Sequence, residues 1–308
     1  MVYAINDLNN IYNQEYSYSL PKTVLESFVS GKAFDHFDVY SKEESLNLQY
    51  DIHQIYESML STGPIKENLA IMTAGAPGAG KTYKMHQILK ESRALGKEYA
   101  YIDPDDVCLQ NQAKTYKADI ASGDGSKEAR LEAYNKWRPG SNAANHLILG
   151  NLIREKYGFC FGTTASGPGT GNFLDFLKKQ GYQIRLIHVT APDNIRFESI
   201  KERDKAFLQA TEQDTKEKGL LLPQRINDAF LKYADQIEFY YRDEVKQDAQ
   251  PAATWSRNSV GSKKLGTLRI INPLLYEKVK AVHNSAVEVL KRPDLDWNES
   301  VEKVSDIL

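Results

Sequence analysis

The chain has 308 residues and a formal net charge of -2, so no global basic field draws nucleic acid or anionic lipid. Hydrophobic content of 41% against 26% charged residues is ordinary for a soluble globular protein, long enough for one large core with or without a smaller flanking domain. No apolar run approaches the ~20 residues of a membrane span, and no basic stretch followed by an apolar one opens the chain. The expectation is a cytoplasmic protein that contacts neither membrane nor nucleic acid. Cys108 and Cys160 lack C-x-x-C spacing and read as buried, reduced thiols.

Residues 1–66 read as a helical N-terminal extension. Residues 20–29 have the spacing of a short amphipathic helix, with Gly31 suited to end it. Ser41 with Glu44 resembles a capping box, and apolar residues from Leu46 to Met59 continue at helical spacing until Ser61-Thr62-Gly63-Pro64. Residues 69–72 read as a buried strand and 83–95 as a helix. Between them stand Gly75-Ala76-Pro77-Gly78-Ala79-Gly80-Lys81-Thr82, which match G-x-x-x-x-G-K-[ST], the phosphate-binding P-loop. Glycines let such a loop wrap phosphate with N–H groups pointing inward, and the helix N-terminus adds a favourable dipole. Lys81 is then placed to reach the β- and γ-phosphates, and the Thr82 hydroxyl to ligate Mg²⁺. The implied ligand is a nucleoside triphosphate.

Residues 97–102 read as a second strand ending in Asp103-Pro104-Asp105-Asp106, with a short helix from Val107. Residues 112–137 read as two exposed helices broken at 122–126, and Trp137-Arg138-Pro139-Gly140 as the lead into a third helix over 143–157. Residues 158–161 read as the third strand, 173–180 as a helix, 182–189 as the fourth strand, and 193–210 as a long charged helix. A helix over 220–234 and a fifth strand over 237–241 follow. The segment 250–266 reads as a loop or hairpin, 268–271 as an edge strand, and 274–290 and 299–308 as closing helices. The alternation predicts an α/β fold of the P-loop kinase type, a three-layer sandwich on a mainly parallel five-stranded sheet. Residues 67–245 form the expected core, 1–66 a helical N-terminal extension, and 246–308 a C-terminal loop or hairpin with helices. In such sheets ligands bind at the carboxyl ends of the strands, which directs attention to Asp103–Asp106, Thr163–Ser166 and the helix after Val189.

Phosphoryl transfer needs Mg²⁺, cations around the moving group and a carboxylate for the acceptor hydroxyl. Asp103, Asp105 and Asp106 supply candidate carboxylates, for the base or for Mg²⁺, although aspartates in a first helical turn also serve as caps. Candidate cations are Arg138, Arg196, Lys201, Arg203, Arg225 and Arg242, with Arg203 foremost; Thr163 and Thr164 offer hydroxyls for an acceptor. The third strand ends without a Walker B acid, and no Asn-Lys-x-Asp motif is present. Both absences favour small-molecule kinases over GTPases and motor ATPases. A nucleotide-dependent switch or interaction protein is the competing class, and a nucleic-acid end kinase a third.

The order of motifs resembles the zeta-toxin family of P-loop kinases: Gly75–Thr82, then Ile102-Asp103-Pro104-Asp105, then Gly162-Thr163 and the run Lys178–Leu186. The resemblance implies ATP and Mg²⁺ as cofactors and a hydroxyl of UDP-N-acetylglucosamine as the phosphate acceptor. It also implies Asp105 as catalytic aspartate, Arg203 as a phosphate-binding arginine, and a possible antitoxin partner. Where the family has Glu-Gly-Thr and an arginine two residues later, this chain has Phe161-Gly162-Thr163-Thr164-Ala165. The acceptor implied is therefore a nucleotide-containing metabolite, with NAD as an alternative to the UDP-amino sugar. Asp106, Arg138, Thr163 and Thr164 are the candidate acceptor contacts.

Overall fold

A computed structural model describes residues 40–204, 212–258, 266–290 and 302–303. The expected helix over 20–29, the end of the helix through residue 210, and most of 299–308 lie outside the described residues. The fold is mixed α/β, with a mostly parallel sheet. Compactness divides the chain into two units, Met1–Asn68 with Leu89–Gly162 and Leu69–Ile88 with Thr163–Leu308. Among the described residues no helix is long and apolar enough to cross a membrane.

The first unit starts with helix α1 (Lys42–Ser61). Its capping box is formed as its sequence predicts: Ser41 N–H donates to Glu44 Oε2 at 2.7 Å, and Glu44 N–H donates to Ser41 Oγ at 3.2 Å. Strand β1 (Leu69–Ala74) and helix α2 (Lys81–Ala94), which enclose the P-loop, belong to the second unit as far as Ile88. Strand β2 (Ala100–Ile102), shorter than expected, pairs in parallel with β3 (Phe159–Phe161). Between them come a wide helical turn over Pro104–Leu109, helix α3 (Tyr116–Ser122) and helix α4 (Lys127–Arg154).

Helix α4 corrects the expected break at residues 137–142. It runs for 28 residues straight through Pro139. A helix-interior proline ordinarily costs about 3 kcal/mol, because it removes a hydrogen bond and crowds the preceding turn. Tyr40 bridges the helix at this point. Its hydroxyl donates to the Lys136 carbonyl at 2.6 Å and accepts from the Gly140 backbone, so it bridges two groups that the helix would otherwise join directly. Its ring stacks on Trp137 at 4.8 Å. A Cβ on Gly140 would lie 2.7 Å from Leu48 Cδ2 and 3.3 Å from the Tyr40 hydroxyl, so the packing here favours glycine.

The second unit carries β1, β4 (Gln183–Thr190) and β5 (Gln236–Tyr241), paired in parallel in that order. Helix α5 (Thr170–Lys179) precedes β4, and α6 (Asp193–Asp204) follows it. Helix α7 (Glu212–Arg225) begins earlier than expected and continues as helical turns to Tyr233. The segment read as a loop or hairpin contains a full strand, β6 (Gln250–Arg257), antiparallel to β5 and to β7 (Gly266–Ile270). A register shift between Phe239 and Tyr240 falls where Tyr240 faces Pro251, which has no N–H to give the ladder. The sheet thus extends beyond the five expected strands. Helix α8 (Pro273–Leu290) packs on β5, β6 and α7. The expected closing helix over 299–308 is contradicted at Glu302–Lys303, a short strand β8 that pairs with β7.

Candidate active site

In the second unit the P-loop leaves β1 at Gly75. Gly75, Gly78 and Gly80 have φ of +144°, +80° and +99°, where side chains are disfavoured. Space is equally restrictive. A Cβ on Gly75 would meet the Val189 carbonyl at 2.3 Å, and one on Gly78 the Arg196 carbonyl at 2.4 Å. The loop is fastened from outside. Arg196 Nε donates to the Pro77 carbonyl at 3.1 Å, and Arg242 Nη2 donates to the Gly78 carbonyl at 2.5 Å. With those carbonyls held outward, the N–H groups of Gly78 and Gly80 have no acceptor among the described residues, as an anion cradle requires. Lys81 Nζ donates to the Ala76 carbonyl at 2.9 Å, and Thr82 is exposed at the second position of α2.

The arginines after the fourth strand divide by role. Arg196 is buried and also donates to Asp193 Oδ1 and to the Thr215 carbonyl, both at 2.6 Å. Arg242 also donates to Ser199 Oγ at 2.7 Å. Arg225 pairs with Asp228 and donates to the Ser166 carbonyl at 3.2 Å. All three hold protein groups. Lys201 is exposed. Arg203 is half-buried, 3.6 Å from Asp204, and its Nε and Nη2 have no hydrogen-bond partner among the described residues. Thr190 Oγ1 and Arg242 Nε are orphaned in the same way.

Thr163 and Thr164 lie beside the start of the P-loop. Thr73 Oγ1 donates to the Thr163 carbonyl at 2.8 Å, Thr163 N–H donates back to Thr73 Oγ1 at 2.9 Å, and Gly75 N–H donates to the Thr164 carbonyl at 3.1 Å. Their own hydroxyls shape the loop: Thr163 Oγ1 accepts from Ala165 N–H at 3.1 Å, and Thr164 Oγ1 lies 3.0 Å from Ser166 Oγ.

In the first unit the three aspartates follow β2. Asp103 is the cap of the Pro104–Leu109 turn: its Oδ1 accepts from the N–H groups of Asp105 and Asp106, each at 2.8 Å. Burial first, and then the neighbouring Asp105 charge, push the Asp103 carboxyl up to about 7. Its Oδ2 packs on Gly162, where a Cβ would lie at 2.0 Å. Asp105 pairs with Arg138 Nε at 2.5 Å, and each side chain is 21% exposed. Burial opposes the Arg138 charge, but Asp105, Tyr134 and Asp103 outweigh it and hold the guanidinium charged. Asp106 Oδ2 accepts from the Tyr101 hydroxyl at 3.1 Å. Arg138 comes from α4, as does Asn142, which accepts from it. Among the described residues no group of three or more His, Cys, Asp or Glu is set to hold a metal by itself.

Solved structures with the same fold include the AvrRxo1-ORF1:-ORF2 complex, at 14% identity and TM-score 0.54 over 78% of this chain and 73% of that one. The same complex with ATP matches at 13% identity, TM-score 0.53 and the same coverage, 78% and 73%. The PezAT chromosomal toxin-antitoxin system of Streptococcus pneumoniae aligns at 15% identity over 82% of this chain and 98% of that one, with a TM-score of 0.48. No curated protein sequence matches the chain. The profile of the zeta toxin family matches residues 57–212, just over half of the chain, and spans the P-loop, the aspartate turn and α6. The chain belongs to the zeta toxin family and is an ATP-dependent kinase.

Proposed function

We propose that this kinase transfers the γ-phosphate of ATP to a hydroxyl of a small, nucleotide-containing metabolite such as a UDP-amino sugar. The observation that carries the reading is the Asp103–Asp106 turn, where the buried Asp103 cap holds the Asp105 backbone and Arg138 pairs with the half-buried Asp105 carboxylate. An acceptor hydroxyl needs such a group to orient it and take its proton. In the proposed reaction the hydroxyl oxygen bonds to the γ-phosphorus, its proton passes to Asp105, and the bond to the β,γ-bridging oxygen breaks to release ADP. Lys81 and the P-loop N–H groups bind the donor phosphates. Arg203, whose Nε and Nη2 have no hydrogen-bond partner among the described residues, neutralises charge on the moving group.

Mg²⁺ belongs to the proposal. Oxygen donors suit it, and it ordinarily takes one or two carboxylates plus substrate phosphates. Thr82 and Asp103 are the residues that would hold it. Like-charge crowding by Asp105 is a strain that a divalent cation relieves, and with Oδ1 occupied by the cap, Oδ2 is the remaining Asp103 donor. When bound, the ion neutralises phosphate charge. Thr163, Thr164, Asp106 and Arg138 stay proposed acceptor contacts, with the two threonine hydroxyls available only beyond their loop bonds.

A protein partner is proposed on a narrower footing, since the neighbour at TM-score 0.54 was solved as an ORF1:ORF2 complex. Incubation with γ-labelled ATP, Mg²⁺ and a pool of small metabolites, with products identified by mass, tests the main reading. A labelled nucleotide-containing product is expected. Label recovered only in inorganic phosphate, protein or nucleic-acid ends would overturn it.

A further inference from the structure

Among the described residues two large aromatic side chains are exposed, Tyr50 and Tyr83. The Tyr50 ring is covered by the Lys114 amine at 3.6 Å. The Tyr83 ring, 57% exposed, has neither a ring nor a cation against it among the described residues. Lys84, the next residue, turns its amine onto the Tyr240 ring at 4.3 Å instead. A bare ring alone is ordinary on a protein surface. This one is also tethered. The Asp248 carboxylate hydrogen-bonds the Tyr83 hydroxyl, and that bond and the carboxylate's charge push the hydroxyl above its ordinary value. Asp248 Oδ2 also accepts from Gln87 Nε2 at 2.9 Å, across 161 residues of sequence. Gln87 stands four residues after Tyr83, on the same face of α2. Ordering a side chain costs conformational entropy, and a ring left in water gains no core packing in return.

The place of the ring supplies a reason. Tyr83 follows directly on the Gly75–Thr82 loop, at the start of α2. Asp248 stands in the segment after β5, whose carboxyl end meets the loop where Arg242 donates to the Gly78 carbonyl. Ligands of such sheets sit at the carboxyl ends of the strands. The ribose of a nucleotide carries its base away from the phosphates, so a base whose phosphates occupy the loop rests on a neighbouring surface. Every base has a π-face, which stacks on an aromatic ring without any charged partner. Tyr83 offers such a ring one residue beyond the loop, held in place and uncovered.

We propose that Tyr83 is the platform on which the nucleobase of ATP stacks, with Asp248 holding the ring in place. Tyr83 is a binding residue and takes no part in the chemical step. Asp248 is a positioning residue that acts through Tyr83. The proposal rests on ATP binding alone and is independent of which acceptor is phosphorylated.

Titration calorimetry tests it by comparing ATP with inorganic tripolyphosphate, which fills the loop but carries no base. Tyr83→Ser removes the ring. It is expected to weaken ATP by about 10- to 100-fold and to leave tripolyphosphate within about twofold of wild type. Tyr83→Phe and Asp248→Ala keep the ring but lose its tether, and each is expected to weaken ATP by about threefold, again without effect on tripolyphosphate. Unchanged ATP affinity in Tyr83→Ser overturns the platform. So does an equal loss for ATP and tripolyphosphate, which would assign Tyr83 to the shape of the loop. Unchanged ATP affinity in both Tyr83→Phe and Asp248→Ala overturns the tether.

Discussion

Arg196 holds the P-loop in two ways at once. Its side chain donates to the Pro77 carbonyl, and its own carbonyl lies where any Cβ on Gly78 would have to go. The sequence marks Arg196 and Arg242 only as basic residues on and after a charged helix, so they read as phosphate cations. Which acceptor a guanidinium meets depends on carbonyls brought near by folding, and one-dimensional spacing does not encode that. Gly219 is explained by the same contact. In the interior of α7 an alanine is normally better by ~1 kcal/mol, but here its Cβ would sit 2.7 Å from Arg196 Nη1. That guanidinium is pinned by Pro77, Asp193 and Thr215 and has little room to yield. Gly219→Ala is therefore expected to lower the melting temperature and weaken ATP binding by about tenfold, or ~1.4 kcal/mol, in titration calorimetry. A stability gain with unchanged ATP affinity would show the brace to be dispensable. Gly162→Ala makes the corresponding test at Asp103 Oδ2, with an expected loss of about 1–3 kcal/mol in urea unfolding.

At the scale of the element, the readable parts are those where local chemistry decides. The Ser41–Glu44 capping box, the strand–P-loop–helix unit and the alternation after it all formed as their residues dictate. The unreadable parts are those where a distant residue decides. Pro139-Gly140 looks like a helix boundary, but Tyr40, 96 residues from Lys136 in sequence, bridges the helix there. Strand β6 is poor in β-formers, opening Gln-Pro-Ala-Ala, and it is held by pairing with β5 and β7 on both sides. Tyr40→Phe keeps the stacking on Trp137 and removes the bridging hydroxyl. It is expected to lower stability by about 1–3 kcal/mol, read from the urea midpoint. An unchanged midpoint would mean that α4 passes Pro139 without this support.

For the molecule as a whole, buried histidines set the response to acid. Burial pushes His283 down to about 4, with Arg138 adding to burial to push His146 down to about 3. His188, 3.0 Å from His283 and also facing Lys81, is held well below its ordinary value by burial and then by those charges. Each is neutral when folded and titrates near 6.5 when unfolded. Between about 6.5 and 4 the unfolded chain binds more protons, so this stabilisation is complete above 6.5 and is lost as pH falls. Asp103, pushed up to about 7, acts oppositely and loses stability as pH rises from about 4 toward 7. Three groups oppose one, so the urea midpoint should fall from pH 7 to pH 5, and Asp103→Asn should steepen the fall. A midpoint that rises on acidification would contradict this balance.

The P-loop half of the catalytic machinery was legible because its chemistry is carried by consecutive residues. The acids proposed to handle the acceptor are readable from sequence only as a set, since the cap at Asp103 and the Arg138 pair depend on how α4 lies on the turn. In the proposed reaction Asp105 handles the acceptor while the P-loop binds ATP. The most direct test compares Asp105→Asn with wild type for ATP affinity and for transfer from γ-labelled ATP. ATP affinity within about threefold of wild type is expected, with transfer reduced by about 10²- to 10⁴-fold. Transfer at the wild-type rate by Asp105→Asn would contradict it.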